Sequence, residues 1–217
     1  MDGDIRDLIS LDDVQEELGF GPNGGLVFCF EYLEQHLDEW LGEELDGYGD
    51  EDYLVFDCPG QIELYSHLGS FRSFVDYLQS RDWKVCVVYC LDSQFVTHAT
   101  KYIAGVLQTL SAMVLLELPH VSVLTKMDIC PDQAAVARLR VPDAHALGCE
   151  LDEAMPKRFH QLNNELARVI DEWSMVSFLE LDVTDEDSMA AVLGHIDMAV
   201  QFGEDAEVKV RDFDPGD

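Results

Sequence analysis

Four near-continuous apolar runs stand out along the chain: YLVFD (53–57), KVCVVYCLD (84–92), HVSVLTKMD (120–128) and MVSFLELD (175–182). Each is rich in Val, Leu or Phe, lacks polar alternation and ends in aspartate. That pattern predicts strands buried on both faces of a parallel sheet. Between them the apolar spacing changes to three and four. Over 97–117 it places Ala99, Tyr102, Ile103, Val106, Leu107, Leu110, Met113 and Val114 on one helical stripe, which Pro119 brings to an end. Similar patterns predict helices over 26–45, 63–80 and 158–173, and a last one from Thr184 or Asp185, either able to cap it, to about Phe202. The stretch GEELDGYGDED (42–52) reads as an acidic loop. Residues 130–157, with Pro131, Pro142 and Pro156, read as an irregular excursion. Residues 1–203 read as one domain and 204–217 as an acidic, disordered tail.

Strand and helix in strict alternation predict an α/β fold with a mainly parallel sheet. In such sheets ligands bind beyond the carboxyl ends of the strands. The strand-terminal residues Asp57, Asp92, Asp128 and Asp182 are therefore the first candidates for chemistry.

Composition narrows the ligand class. The chain of 217 residues carries 44 acids against 13 bases, a net charge of −31. Such a surface repels nucleic-acid phosphates and anionic lipid, so no direct nucleic acid and no membrane are expected as partners. An anionic small ligand remains compatible where backbone amides and a metal ion supply positive field locally. No apolar run reaches the roughly 18–20 uncharged residues of a membrane span. The acidic start, MDGDIRDLIS, is no secretory signal, so an intracellular protein is expected. The six cysteines include no C-x-x-C pair and read as reduced core thiols.

Two motifs carry candidate chemistry. In LVFDCPGQIEL (54–64) an apolar strand ends in D-x-x-G. An aspartate at that position can hold Mg²⁺ through water, because the ion prefers oxygen ligands and keeps part of its shell. Gly60 lets a backbone amide approach a terminal phosphate without a Cβ in the way, and Gln61 follows where a polar side chain can orient attacking water. An ordinary Pro-Gly turn is the alternative. In VLTKMD (123–128) a second strand ends in an approximation of N/T-K-x-D, with Thr125 where asparagine is usual. Asp128 can accept from the ring N–H and exocyclic amine of guanine, a donor pair that adenine lacks. The Lys126 stem can lie along the base plane. Here the alternative is a surface lysine and a helix cap. The element that cradles phosphate, G-x-x-x-x-G-K-[ST], is missing: none of Lys84, Lys101, Lys126, Lys157 and Lys209 is followed by Ser or Thr.

With these residues the chain resembles the GPN-loop GTPases over nearly its whole length. The resemblance runs through DIRDLI (4–9), FGPNGGLVFCFEY (20–32), DCPGQIELYSHL (57–68), DSQF (92–95), LSAMVLLELPHVSVLTKMD (110–128), SMVSFL (174–179), DEDSM (185–189) and QFGED (201–205). It implies a P-loop NTPase-like three-layer sandwich and a dimer that hydrolyses GTP with Mg²⁺. Asp57 would serve the metal, Gly60 the γ-phosphate and Gln61 the water, while Thr125, Lys126, Met127 and Asp128 would read guanine. It also implies that Gly21, Pro22 and Asn23 form a loop at the dimer interface, with Asn23 acting in the partner's site as an arginine finger does. A plain Pro-Asn-Gly turn is the alternative for that tip. Partners implied are an identical or paralogous GPN-loop GTPase and RNA polymerase II, whose assembly and nuclear import the family serves. The location implied is cytoplasmic, with shuttling to the nucleus. Family members carry the first strand and phosphate loop ahead of the segment matching DIRDLI, where this sequence begins. A truncated reading of the gene is the expectation, and a catalytically silent subunit that supplies its GPN loop in trans to an intact partner is the alternative.

Overall fold

The computed structural model describes residues 3–49, 52–61, 69–130, 132–139, 143–172 and 176–203. They belong to two compact units. The first takes the chain as far as Val85, together with Val106–Leu118. The second takes Cys86–Gly105 and the chain from Pro119 onward.

The first unit is helical. Helix α1 (Leu11–Leu18) stops at Gly19, whose φ of 69° is the left-handed conformation that glycine adopts without strain. Helix α2 (Pro22–Gln35) starts with Pro22 in its first turn, where no backbone N–H is needed. Gly25 is buried, and a Cβ there would sit 2.7 Å from Leu11 Cδ1, so this glycine lets α1 and α2 close on each other. The chain then passes through a π-helical turn (Leu37–Leu41) into the short α3 (Gly42–Leu45). The acidic loop expected over 42–52 thus begins with a helical turn. Leu33, Leu37, Leu41 and Leu45, four residues apart, form one buried row with Leu78 of helix α4 (Ser70–Ser80). Ser73 Oγ donates to Glu34 at 2.6 Å between α2 and α4. Of the helix expected over 63–80, residues 62–68 lie outside the described residues.

The strand expected over 53–57 does not form: residues 52–61 run without regular structure. Leu54 packs on the leucine row, and Phe56 meets Phe74 edge-on at 5.4 Å, while Val55 is 86% exposed. Side chains anchor this segment, but a strand also needs a neighbouring backbone to complete its ladder. Among the described residues no strand forms a ladder with it.

The second unit contains the sheet. Strands β1 (Val87–Asp92), β2 (His120–Thr125) and β3 (Phe178–Glu180) are parallel and lie in that order. The crossover from β1 to β2 runs through helix α5 (Ala99–Leu116), whose residues as far as Gly105 belong to this unit. A Cβ at Gly105 would meet Leu91 Cδ2 at 2.8 Å, so the glycine permits the close packing of helix on strand. Val121 to Leu124 of β2 are all buried, as a central strand of a parallel sheet requires. Helices α6 (Gln133–Leu139) and α7 (Ala144–Ala154) occupy much of the span expected to be irregular. Both start from aspartates that cap free N–H groups, Asp132 for Ala135 and Asp143 for His145. Helix α8 (His160–Glu172) pairs with α7, and Asn163 donates to Asp152 at 2.8 Å between them. Helix α9 (Glu186–Val200), capped by Asp185, packs Val192, Ile196 and Ala199 against Val121, Val123 and Leu179.

Two expectations are refined. Helix α5 is long and apolar enough to cross a membrane by length and composition, although it contains Lys101 and half of it is buried inside the protein. Its buried face follows Ala99, Tyr102, Ile103 and Val106 as predicted, then continues through Thr109, Ala112 and Leu116. Val114, expected on the stripe, is 52% exposed. A helix this apolar offers more hydrophobic positions than one face can bury. The six cysteines are free, but of the expected core thiols only Cys29 is buried: Cys58, Cys86 and Cys130 are half-buried, and Cys90 and Cys149 are exposed.

Candidate functional site

The carboxyl ends of β1 and β2 form a connected polar cluster, and a backbone hydrogen bond from Met127 to Leu181 ties it to the exit of β3. β1 ends at Asp92, whose register partner on β2 is Thr125. Thr125 Oγ1 donates to the Leu91 carbonyl at 3.3 Å, tying the two strand ends together. The next residue, Lys126, has a left-handed backbone (φ 61°), an uncommon conformation for a side-chain-bearing residue. Two groups from the exit of β1 hold it there. Ser93 Oγ donates to the Lys126 carbonyl at 3.0 Å, and the Lys126 ammonium donates to Asp92 Oδ2 at 2.8 Å. The other oxygen, Asp92 Oδ1, caps the 3-10 turn Ser93–Thr97 by accepting from the Gln94 N–H at 2.9 Å.

Met127 is buried and fixes the turn from below, its N–H donating to the Leu181 carbonyl at 3.3 Å just beyond β3. Asp128 follows, exposed, in the 3-10 turn Met127–Ile129. Beyond β3, Asp182 Oδ1 accepts from both the N–H and the hydroxyl of Thr184, closing a compact turn. Thr125, Lys126, Met127 and Asp128 thus share one rigid turn with an exposed carboxylate at its tip.

The charges are tuned by their contacts. The hydrogen bond from Lys126 holds the Asp92 carboxyl below its usual range, helped by the Gln94 N–H, and the same bond raises the Lys126 ammonium. The Thr184 hydroxyl and N–H lower Asp182.

The other predicted site residues lie in the first unit. Gly21 caps α2 with extended backbone, Pro22 opens the helix and Asn23 follows, all three exposed. The amide of Asn23 is therefore carried at a helix N-terminus, on a backbone stiffened by proline. Asp57, Gly60 and Gln61 are exposed in the irregular stretch 52–61, and no Cβ added at Gly60 would meet another atom within 4 Å. Cys58 between them is half-buried, and burial beside the Asp57 charge pushes its thiol up to about 11. Asp57 offers a hard, exposed oxygen donor, which suits an ion that keeps most of its water and takes one carboxylate plus phosphate oxygens. Among the described residues, no group of three or more His, Cys, Asp or Glu side chains is placed to hold a metal ion by itself.

The clamp formed by Asp92 and Ser93 escapes the motif reading. The sequence marks it as an aspartate ending an apolar strand and as the block DSQF (92–95), and only the strand register shows which residue it serves.

Comparison with known proteins places these observations. A family described as "Conserved hypothetical ATP binding protein" matches residues 1–202. GPN-loop GTPase 3 of Mycosarcoma maydis is 48% identical over 99% of this chain and 80% of its own length. The protein of that name from Schizosaccharomyces pombe is 47% identical over 96% of this chain and 77% of its own length. The Danio rerio protein is 46% identical over 95% of this chain and 73% of its own. Among solved structures, a GTPase from Pyrococcus abyssi in its apo form superposes with a TM-score of 0.69. It is 22% identical, with 89% of this chain and 78% of that one covered, which supports the shared α/β fold.

Proposed function

The chain belongs to the GPN-loop GTPase family, and from that premise we propose that it binds GTP and takes part in its hydrolysis as one half of a dimer. The observation that carries the base assignment is the pinned Thr125–Asp128 turn, which presents an exposed carboxylate at the carboxyl end of β2. Guanine offers that carboxylate two N–H donors. Adenine would leave it short of partners, at about 1–3 kcal/mol per lost bond.

In this reading Asp57 holds Mg²⁺, which when bound neutralises charge on the phosphate oxygens. The Gly60 N–H donates to the γ-phosphate, and the side-chain oxygen of Gln61 accepts a hydrogen bond from the attacking water and so orients it. That water forms the new P–O bond as the bond to the β–γ bridging oxygen breaks, giving GDP and phosphate. The amide of Asn23, able both to donate and to accept, acts on the partner's phosphate or water, while Pro22 restricts the loop that delivers it. The resemblance extends the proposal to a homodimer or a pairing with a paralogous GPN-loop GTPase. It further extends it to RNA polymerase II assembly and import, from a cytoplasmic location with nuclear shuttling.

One observation favours a second reading. No lysine of residues 1–217 is followed by Ser or Thr, so these residues contain no lysine phosphate loop. In that reading the chain is a silent subunit that lends Asn23 to an intact partner. Titrating a fluorescent GTP analogue into the protein separates the two. Micromolar binding displaced by GTP and not by ATP is expected of the enzyme. Binding equally displaced by ATP contradicts the base assignment, and no binding leaves the silent subunit.

A further inference from the structure

Lys126 is held at its backbone and at its side-chain tip by consecutive residues of the β1 exit. Its carbonyl accepts from Ser93 Oγ at 3.0 Å, and its ammonium donates to Asp92 Oδ2 at 2.8 Å. Asp92 is not a loose surface partner. Its Oδ1 caps the following 3-10 turn through Gln94, and its backbone is paired in register with Thr125. Each carboxylate oxygen therefore has its own task, one holding the turn and one holding the lysine.

Surface ion pairs contribute little to stability, because two long side chains must be ordered in water to make them. Here three of the four ordering steps are already taken: the Asp92 carboxylate is fixed as a cap, the Lys126 backbone is fixed by Ser93, and the next residue, Met127, is anchored by its own N–H to the Leu181 carbonyl. What remains is the lysine stem. Pinning the ammonium pairs its charge with Asp92 and leaves the four methylenes, in a side chain 58% exposed, as an apolar edge two residues before Asp128.

Resting on the guanine reading above, we propose that Asp92 is a positioning residue for base recognition. By holding the Lys126 ammonium, it presents the lysine stem, rather than its charge, to the flat face of the purine ring. A stem ordered before the ligand arrives loses no freedom on binding, which raises affinity without a new contact. The nucleotide's phosphates are not involved, so GDP and GTP gain equally.

The test is a set of variants in the full chain, each titrated with GDP and GTP and melted without ligand. Asp92→Asn keeps one oxygen for the Gln94 cap and loses the charge that holds Lys126. It should weaken both nucleotides by the same factor, about 5–10-fold, the size expected of a coupled side-chain pair. Lys126→Met keeps an apolar stem without the ammonium and should lose about as much as Asp92→Asn, whereas Lys126→Ala should lose more. Adding Asp92→Asn to Lys126→Met should then cost nothing further. A merely structural role for Asp92 would instead lower the melting temperature and multiply with the lysine variants. Unchanged affinity in Asp92→Asn overturns the proposal, as does Lys126→Met falling as far as Lys126→Ala, which would mean the ammonium itself touches the nucleotide. If the unmodified protein fails to prefer guanine over adenine nucleotides, the base reading falls and this role falls with it. If it does prefer guanine and the variants behave like wild type, only the positioning role is lost. Should Asp92→Asn fold poorly, Asp92→Glu, which keeps charge and both oxygens, must restore nucleotide binding to near wild type, and failure to do so also overturns the proposal.

Discussion

The ammonium of Lys126 lies 2.8 Å from the carboxylate of Asp92, at the paired carboxyl ends of two neighbouring parallel strands. The geometry differs from that of an ordinary surface pair such as Arg72–Asp76, which spans one turn of a single helix. The Asp92–Lys126 contact joins residues 34 apart in sequence and closes a turn whose next exposed side chain is Asp128. Its importance is one of position. The pair sets where the turn and its lysine stem stand, and so where a purine can meet them.

Thr125 occupies the place where asparagine is usual, and its hydroxyl bridges to the Leu91 carbonyl. Thr125→Val keeps the shape and removes the donor. A net loss near 1 kcal/mol is expected for one such bond, a fall of about 2–4 °C in melting temperature for a chain of this length. A scanning calorimetry trace unchanged from wild type would show that the bridge contributes nothing.

Asn23 is exposed at the start of α2 and carries no packing role there. Asn23→Ala should leave the melting temperature and GTP affinity near wild type while lowering steady-state turnover by about 10²–10³-fold, the loss seen when one donor to a developing charge is removed. In a mixed dimer with GTP in both sites, turnover should fall only in the wild-type subunit, whose site receives the altered loop. Equal turnover in wild type and variant would remove Asn23 from the chemistry.

Leu78 is 2% exposed and completes the row Leu33, Leu37, Leu41 and Leu45. Leu78→Ala opens a cavity in that row and should destabilise the protein by about 2–5 kcal/mol in urea titration. A loss below 1 kcal/mol would mean that the row repacks around the missing atoms.

His120 supplies a pH dependence. Both ring nitrogens are buried without hydrogen-bond partners among the described residues, the ring stacks on Tyr89 at 6.0 Å, and burial lowers its pKa below the usual 6.5. Below that value the unfolded chain binds a proton that the folded chain resists. Stability from this residue is therefore full above about pH 6.5 and is lost as the pH falls below it. His120→Phe should flatten the acid side of a plot of stability against pH between 5 and 7. A slope identical to wild type would assign the acid sensitivity to other groups.

Much of the second unit is legible from sequence because its signals are local. The unbroken run HVSVL demands burial on both faces, and β2 receives it; Asp185 precedes an apolar helical pattern and caps α9. What sequence misses depends on neighbours. YLVFD has a strand's composition, but a ladder needs a second backbone, and no strand among the described residues forms one with 52–61. Helices α6 and α7 hide behind prolines because neither is long enough to display a convincing stripe, although Asp132 and Asp143 cap them as any longer helix would be capped. The turn at Thr125–Asp128 is visible as a motif. Its clamp is not, since Asp92 and Ser93 meet it only through the register of β1 on β2.

The central claim is that Asp128 reads guanine, and exchanging its carboxylate for an amide tests it most directly. Asp128→Asn replaces an acceptor with a group that also donates. Competition titrations should show GTP weakened by about 10–100-fold and xanthosine triphosphate, which presents a carbonyl where guanine has its amine, strengthened relative to it. Unchanged preference for GTP over xanthosine triphosphate in that variant would contradict the account.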